Sequence, residues 1–165
     1  MPTTLAAAAA LLMTTVGVAA QTPQWQTYSD PEYGYRIDIP TDLLEPEDGQ
    51  DGRLVFRDPA GPVQLSVYAE ENHDRLPLSE VAASLERSEW IREITYRRSG
   101  ASWLVISGYY DLESGRGADL VFYLKLMMSP DRSRYAVFAI SYPEAEKPRY
   151  DPVVERLEDS FRPPS

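Results

Sequence analysis

The feature that most constrains the fold is a pair of segments that are apolar at nearly every position. Residues 120–127 read Leu-Val-Phe-Tyr-Leu-Lys-Leu-Met, and residues 135–140 read Tyr-Ala-Val-Phe-Ala-Ile. Successive side chains of a strand point to opposite sides of a sheet, so strands of this kind must be covered on both sides. The chain is therefore expected to build a layered structure around a central sheet.

The remaining elements follow from turn signals and from the spacing of apolar residues. Further strands are expected at residues 25–28, 35–40, 54–57, 63–68, 94–98 and 102–110. One amphipathic helix is predicted by apolar positions at helical spacing, namely Leu78, Val81, Ala82 and Leu85. A second helix is expected to begin with Asp151 as its cap and Pro152 as its first residue, and to bury Val154, Leu157 and Phe161. The predicted fold class is α+β, an antiparallel sheet with helices packed on its faces.

The expected strand at residues 35–40 lies in the block Tyr-Gly-Tyr-Arg-Ile-Asp-Ile-Pro at residues 33–40. Gly34 takes a positive φ at low cost and suits a turn that leads into the strand. Tyr35, Ile37 and Ile39 share one face, and the two charged residues between them share the other. We expect the apolar face to be buried.

This block and the end of the chain resemble the PsbP-like fold. The matching residues are Tyr33, Gly34, Tyr35, Ile37, Ile39 and Pro40 at the front, and Tyr150, Asp151, Pro152, Ser160 and Phe161 at the back. The fold is shared by photosystem PsbP proteins, a small Ran-binding nuclear import factor and bacterial DcrB-like envelope proteins. The resemblance covers nearly all of the chain after residue 20.

The resemblance implies an α/β/α sandwich and a non-catalytic role in binding a partner or assisting assembly. It implies no ligand residue and no cofactor. DcrB-like proteins are often lipid-anchored, and the absence of cysteine from this chain departs from that pattern.

Residues 1–20 have the features of a secretory signal peptide. Residues 21–165 are expected to form a single domain. The first segment has no charged side chain, an apolar run at residues 5–13 and small residues before Gln21. An uncleaved membrane anchor is the alternative, because no Lys or Arg precedes the run. The signal implies a periplasmic or secreted protein, without stable membrane insertion after cleavage. Because the chain has no cysteine to form disulfides, a bacterial cell envelope fits it better than a disulfide-built extracellular module does.

The net charge of -10 excludes nucleic acid as an expected partner, because its phosphates would be repelled. The pair Arg97-Arg98 is interpreted as part of an exposed β-edge rather than as a phosphate-binding patch.

Reactive side chains are few. The single histidine, His73, lies among Glu70, Glu71 and Asp74, a set that would suit a metal-assisted hydrolase. We interpret it as a solvated loop, because catalytic sites gather groups from several segments. Lys125, a candidate for serine–lysine catalysis, is expected to reach outward along the sheet.

The acidic stretch at residues 45–51 lacks the spacing of a calcium loop and is expected to be exposed. Together with the scarcity of reactive groups, this leads us to predict no catalytic residue, no metal site and no cofactor.

The leading functional hypothesis is a non-catalytic, exported envelope protein that binds a protein partner or assists assembly. The alternatives are a carrier of a small apolar or lipid ligand and, less favoured, the metal-assisted hydrolase. The predicted partner-binding residues are Tyr109, Tyr110 and Arg116, beside a hairpin at residues 113–117. The competing interpretation is a plain turn whose tyrosines pack under the helices.

Overall fold

The computed structural model describes residues 23–49, 52–111 and 120–165, so the predicted signal peptide lies outside the described residues. The strands are β1 Trp25–Ser29, β2 Arg36–Pro40, β3 Glu45–Glu47, β4 Leu54–Arg57, β5 Gln64–Glu71, β6 Ile91–Ser99, β7 Trp103–Tyr110, β8 Leu120–Met128 and β9 Arg134–Pro143. The helices are α1 Leu78–Glu86 and α2 Lys147–Ser160, and a 3-10 turn at Glu144–Glu146 precedes α2.

Seven strands form one sheet in the order β3-β4-β5-β9-β8-β7-β6, while β1 and β2 form a separate two-stranded sheet. All neighbouring strands are antiparallel. The two strands that the sequence marks as apolar on both sides, β8 and β9, are neighbours in the interior of the large sheet. The predicted α+β class is confirmed.

One face of the large sheet carries the larger core, under α2 and the β1–β2 hairpin. Side chains of β5 and β9 meet the apolar stripe of α2 there, and the predicted residues Val154, Leu157 and Phe161 are buried. The apolar face of β2 closes the same core, with Tyr35, Ile37 and Ile39 each at most 2% exposed. The predicted orientation of this strand is therefore confirmed.

The opposite face carries a smaller core under α1. Only Val81 and Ala82 of this nine-residue helix are buried. They pack with sheet residues that include Leu104, Phe122 and Leu126. The helices thus lie on both faces of the sheet, as the strand pattern requires.

The end of the chain closes over the free edge of β2. The Asp38 N–H donates to Ser160 Oγ (3.0 Å), and the Arg162 N–H donates to the Arg36 carbonyl (2.8 Å). Gly34 has a φ of +76°, as expected for the turn before β2. A Cβ at this position would lie 2.2 Å from Ser165 Oγ, so the last residue of the chain packs where only glycine leaves room.

The largest departures from the sequence-based expectation are at β3 and at the start of α2. Glu45–Glu47, expected to be part of a loop, forms the edge strand β3, although all three residues are exposed as predicted. Main-chain pairing with Val55–Arg57 of β4 holds this strand, and such pairing needs no apolar side chain.

Helix α2 begins at Lys147, and the prediction that Asp151 caps it is wrong. Pro148 occupies the first turn, where a missing N–H costs nothing, and Pro152 lies inside the helix. The earlier start buries Tyr150 completely and lets its hydroxyl donate to Asp58 Oδ2 at 2.7 Å.

Within the described residues, neither helix has the length and apolar character needed to cross a membrane.

Candidate docking edge

The strand order of the large sheet ends at β6, and no described residue pairs with its outer side. This confirms the interpretation of Arg97-Arg98 as part of a β-edge. The edge at the other end of the sheet is β3, which has three residues and contains Pro46. A proline has no N–H to offer, so the longer β6 is the more open of the two edges. We call β6 together with Trp90 the docking edge.

The docking edge exposes large side chains. Three large hydrophobic side chains are exposed among the described residues: Trp90 (51%), Tyr96 (48%) and Leu76 (37%). Two of these three belong to the docking edge. Aromatic side chains are enriched at recognition surfaces, because their rings bury a large area at a low cost in conformational entropy.

Pairing with β7 and contacts with the α1 core hold β6 in place. Ile91 and Ile94 pack against that core, and Arg97 forms an ion pair with Glu86 of α1 at 2.8 Å. Two register shifts interrupt the pairing between Ile91 and Tyr96. Between them β6 approaches Gly108 so closely that a Cβ there would lie 1.9 Å from the Glu93 carbonyl oxygen.

The C-terminal half of β6 pairs regularly with β7, from Tyr96–Ser107 to Ser99–Leu104. The strand carries Arg92, Arg97 and Arg98 against the single acid Glu93. Its charge is therefore opposite in sign to the net charge of the whole chain, -10. Among the described residues, Arg98 forms no ion pair.

The predicted partner-binding tyrosines adjoin this edge at the end of β7. The Tyr109 hydroxyl donates to Glu144 Oε1 at 2.7 Å, which raises the pKa of the phenol, and the Arg92 guanidinium lies 5.2 Å from the ring centroid. Tyr110 stacks on Phe122 with a centroid distance of 5.1 Å. Both tyrosines are half-buried, and Arg116 lies outside the described residues, so this part of the site stays a prediction.

The expectation that Lys125 reaches outward along the sheet is wrong. Its side chain is only 12% exposed, and Nζ donates to the backbone carbonyl of Glu158 (3.2 Å) and to its Oε1 (3.3 Å). The Tyr123 hydroxyl donates to the other carboxylate oxygen at 2.5 Å, and burial together with this bond raises the pKa of the phenol. Lys125 thus ties the sheet to α2, where an unpaired buried ammonium would be costly.

The carboxylates around His73 are engaged separately. Glu70 accepts a hydrogen bond from the Tyr135 hydroxyl, whereas Glu71 forms an ion pair with Arg134 at 3.0 Å. His73 and Asp74 lie in the exposed turn after β5. No group of three or more potential metal ligands comes together within the described ranges. The geometry there gives the hydrolase alternative no support.

A cavity of about 340 Å³ lies between α1 and the sheet. Its walls combine apolar and aromatic side chains, Tyr68 and Leu124 among them, with three serines and Arg53. The carrier alternative requires a mostly apolar lining with few polar groups, and this cavity has a mixed one.

A second cavity, of about 300 Å³, lies where β2 meets the end of α2, and three arginines line it. Arg156 makes two hydrogen bonds to the buried Asp38 carboxylate, at 2.7 and 3.0 Å, and Arg162 donates to the Asp159 and Phe161 carbonyls. Two of the three guanidiniums are thus bound within the protein, and we assign this cavity a structural role.

Comparisons with known proteins identify the fold. No protein-family model and no curated protein matches the sequence. Among solved structures, cyanobacterial PsbP (CyanoP) from Synechocystis is similar, with 17% identity, a TM-score of 0.59, and coverage of 92% of this chain and 98% of that one.

The Ran-binding protein Mog1p from Saccharomyces cerevisiae is similar as well, with 11% identity and a TM-score of 0.57 over 86% of this chain and 96% of that one. A second Mog1 structure gives a TM-score of 0.56. At these identities the likeness establishes the fold alone.

Proposed function

We propose that this chain, which has a PsbP-like fold, is a non-catalytic exported protein that binds a protein partner through the docking edge. The single observation that carries the proposal is the exposure of two large aromatic residues, Trp90 and Tyr96, along the docking edge, whose outer side pairs with no described residue. Mog1p, with the same fold, is described as a Ran-binding protein, which supports protein recognition as a use of this architecture.

The proposed surface has the composition of an interface rather than of an active site. Exposed rings stand beside arginines, and these residue types dominate the energy of protein–protein contacts. The carboxylates near His73 are held in separate contacts, which supports a role without catalysis. We include Tyr109, Tyr110 and Arg116 in the proposal, because Tyr110 is paired with Ile91 at the start of β6.

The proposal of export rests on the signal peptide predicted at residues 1–20. N-terminal sequencing of protein recovered outside the cytoplasm is expected to begin at Gln21. Recovery of chains that begin with Met1, in the membrane fraction, would contradict cleavage and favour the anchor.

Partner capture from cell-envelope extracts tests the docking edge directly. We expect the wild-type chain to retain a partner that Trp90→Ala and Tyr96→Ala lose. Leu76→Ala is the matched control, because it removes the third exposed hydrophobic side chain at a distance in sequence from β6. The double variant Tyr110→Ala and Arg116→Ala tests the partner-binding residues predicted from the sequence in the same way.

Thermal unfolding of each variant establishes that the fold is intact. Equal capture by all folded variants would exclude this edge as the binding site. Failure of the wild-type chain to retain any protein would contradict the function itself.

A further inference from the structure

We infer that the docking edge binds its partner by strand addition, and that the added segment is extended and acidic. This inference rests on the proposed function and adds the chemistry of the partner. In the complex, the partner segment would form an eighth strand of the large sheet, next to β6.

The first argument is the open main chain of β6. The Gly100 N–H donates to the Trp103 carbonyl at 2.9 Å, so these two residues form a hydrogen-bonded pair at the turn between β6 and β7. Hydrogen-bonded and non-hydrogen-bonded pairs alternate along an antiparallel ladder. Ser99 and Arg97, paired with Leu104 and Ile106, therefore turn their N–H and C=O groups away from β7.

The second argument is the regularity of this half of the strand. Bulges and short length protect the edges of many sheets from adding a strand. Both register shifts of β6 lie before Tyr96, and the pairing from Tyr96 to Ser99 continues without interruption. The C-terminal half of β6 therefore offers a regular edge.

The third argument is charge. Arg97 and Arg98 are adjacent, so their side chains lie on opposite faces of the sheet. An added strand with acidic residues on the face that it shares with Arg98 would place a carboxylate beside that guanidinium. Opposite charges at facing positions stabilise a strand pair, whereas a basic segment would be repelled. Arg97 already contacts Glu86, so Arg98 is the cation that the partner would neutralise.

The position of Tyr96 fits the same arrangement. It is two residues from Arg98 and shares its face of the strand. Tyr96 is 48% exposed, so its ring would cover the apolar part of an added side chain. Recognition by strand addition generally combines main-chain hydrogen bonds with side-chain contacts of this kind.

A capped peptide of alternating glutamate and valine, nine residues long to match β6, is the probe. We expect it to shift the amide resonances of β6 in an NMR titration up to about 1 mM. It should also slow hydrogen exchange at Arg97 and Ser99, and bind less tightly as salt is added. The same peptide with lysine in place of glutamate should leave the resonances unchanged.

Two matched pairs of variants separate the main-chain and charge contributions. Ser99→Pro removes one outward N–H without changing charge and should abolish the shifts, while Ser99→Ala should keep them; proline is tolerated at such an edge position. Arg98→Gln should lower the affinity by up to about fivefold. Arg36→Gln, at an exposed arginine of β2, should leave it unchanged.

Absence of β6 shifts with the acidic peptide, or equal binding by Ser99→Pro and Ser99→Ala, would overturn strand addition. Equal binding of the acidic and basic peptides would overturn the acidic chemistry. If partner capture still depends on Trp90 and Tyr96 in either case, the proposed function stands and only the mode of recognition is wrong.

Discussion

At the scale of single residues, the apolar face of β2 is the best-defined contribution to stability. Ile37 is completely buried in the core under α2. We expect Ile37→Ala to lower the free energy of unfolding by about 2–5 kcal/mol, measured by urea denaturation, because it leaves a cavity. Ile94→Ala, at a half-buried site on β6, should cost less. Equal losses for the two variants would mean that the β2 face is not packed as described.

The other face of β2 makes the stability depend on pH. The Thr27 hydroxyl donates to Asp38 at 2.7 Å and, with the Arg156 guanidinium, holds the pKa of Asp38 below its ordinary value of 3.8 despite burial. A carboxyl with a lowered folded pKa stabilises the protein above its unfolded pKa. That contribution is lost as the pH falls through the folded pKa.

We therefore expect the free energy of unfolding to fall below about pH 4, and to fall less steeply in Asp38→Asn. The variant should also be less stable at neutral pH. Urea denaturation across this pH range measures both effects. Asp74→Asn, at an exposed turn, is the control and should follow the wild-type profile. A profile of Asp38→Asn that runs parallel to the wild type would contradict the assignment.

These two faces of β2 show where sequence reasoning stops at this scale. The period of two in Tyr35, Ile37 and Ile39 predicts the buried face correctly, because it is a local property. The burial of Asp38 has no local signal, since its partner Arg156 lies 118 residues away. The expectation that Lys125 reaches outward is wrong for the same reason, because its partner Glu158 is distant in sequence.

At the scale of elements, the early start of α2 has a measurable consequence. Pro152 lies in the sixth position of the helix and cannot donate to the carbonyl four residues earlier, that of Pro148. Pro152→Ala should raise the free energy of unfolding by up to about 3 kcal/mol in chemical denaturation. Pro148→Ala, in the first turn, should leave it unchanged or lower it slightly. If neither variant gains stability, residues 147–151 are not part of the helix.

Local patterns predicted the positions of most elements but not the order of the strands. The turn at Asp58-Pro59 and the alternation after it indicate the β4–β5 hairpin. Nothing local indicates that β5 lies beside β9, a pairing that joins Gln64 to Ser141. The docking edge is likewise a product of topology, because the same residues in an inner strand would have their main-chain groups satisfied.

At the scale of the molecule, the two faces of the large sheet are unequally covered. Helix α1 buries only Val81 and Ala82, whereas α2 buries Tyr150, Val153, Val154 and Leu157. We expect amide hydrogens of α1 to exchange through a local opening of lower free energy than those of α2, in native-state exchange at increasing urea. Exchange of both helices only through global unfolding would show that the smaller core is as firmly held as the larger one.

The two edges of the large sheet differ, and the difference limits how many strands can be added to it. One edge is nine residues long and carries three arginines, while the other is a three-residue strand with a proline between two glutamates. A sheet with two long, plain edges would let strands add at either end and propagate into ribbons and fibres. In this sheet, growth at the β3 end stops at Pro46. If β6 adds a strand as inferred above, the pairing would not propagate through the β3 edge, and the complex is expected to contain one copy of the chain per added strand.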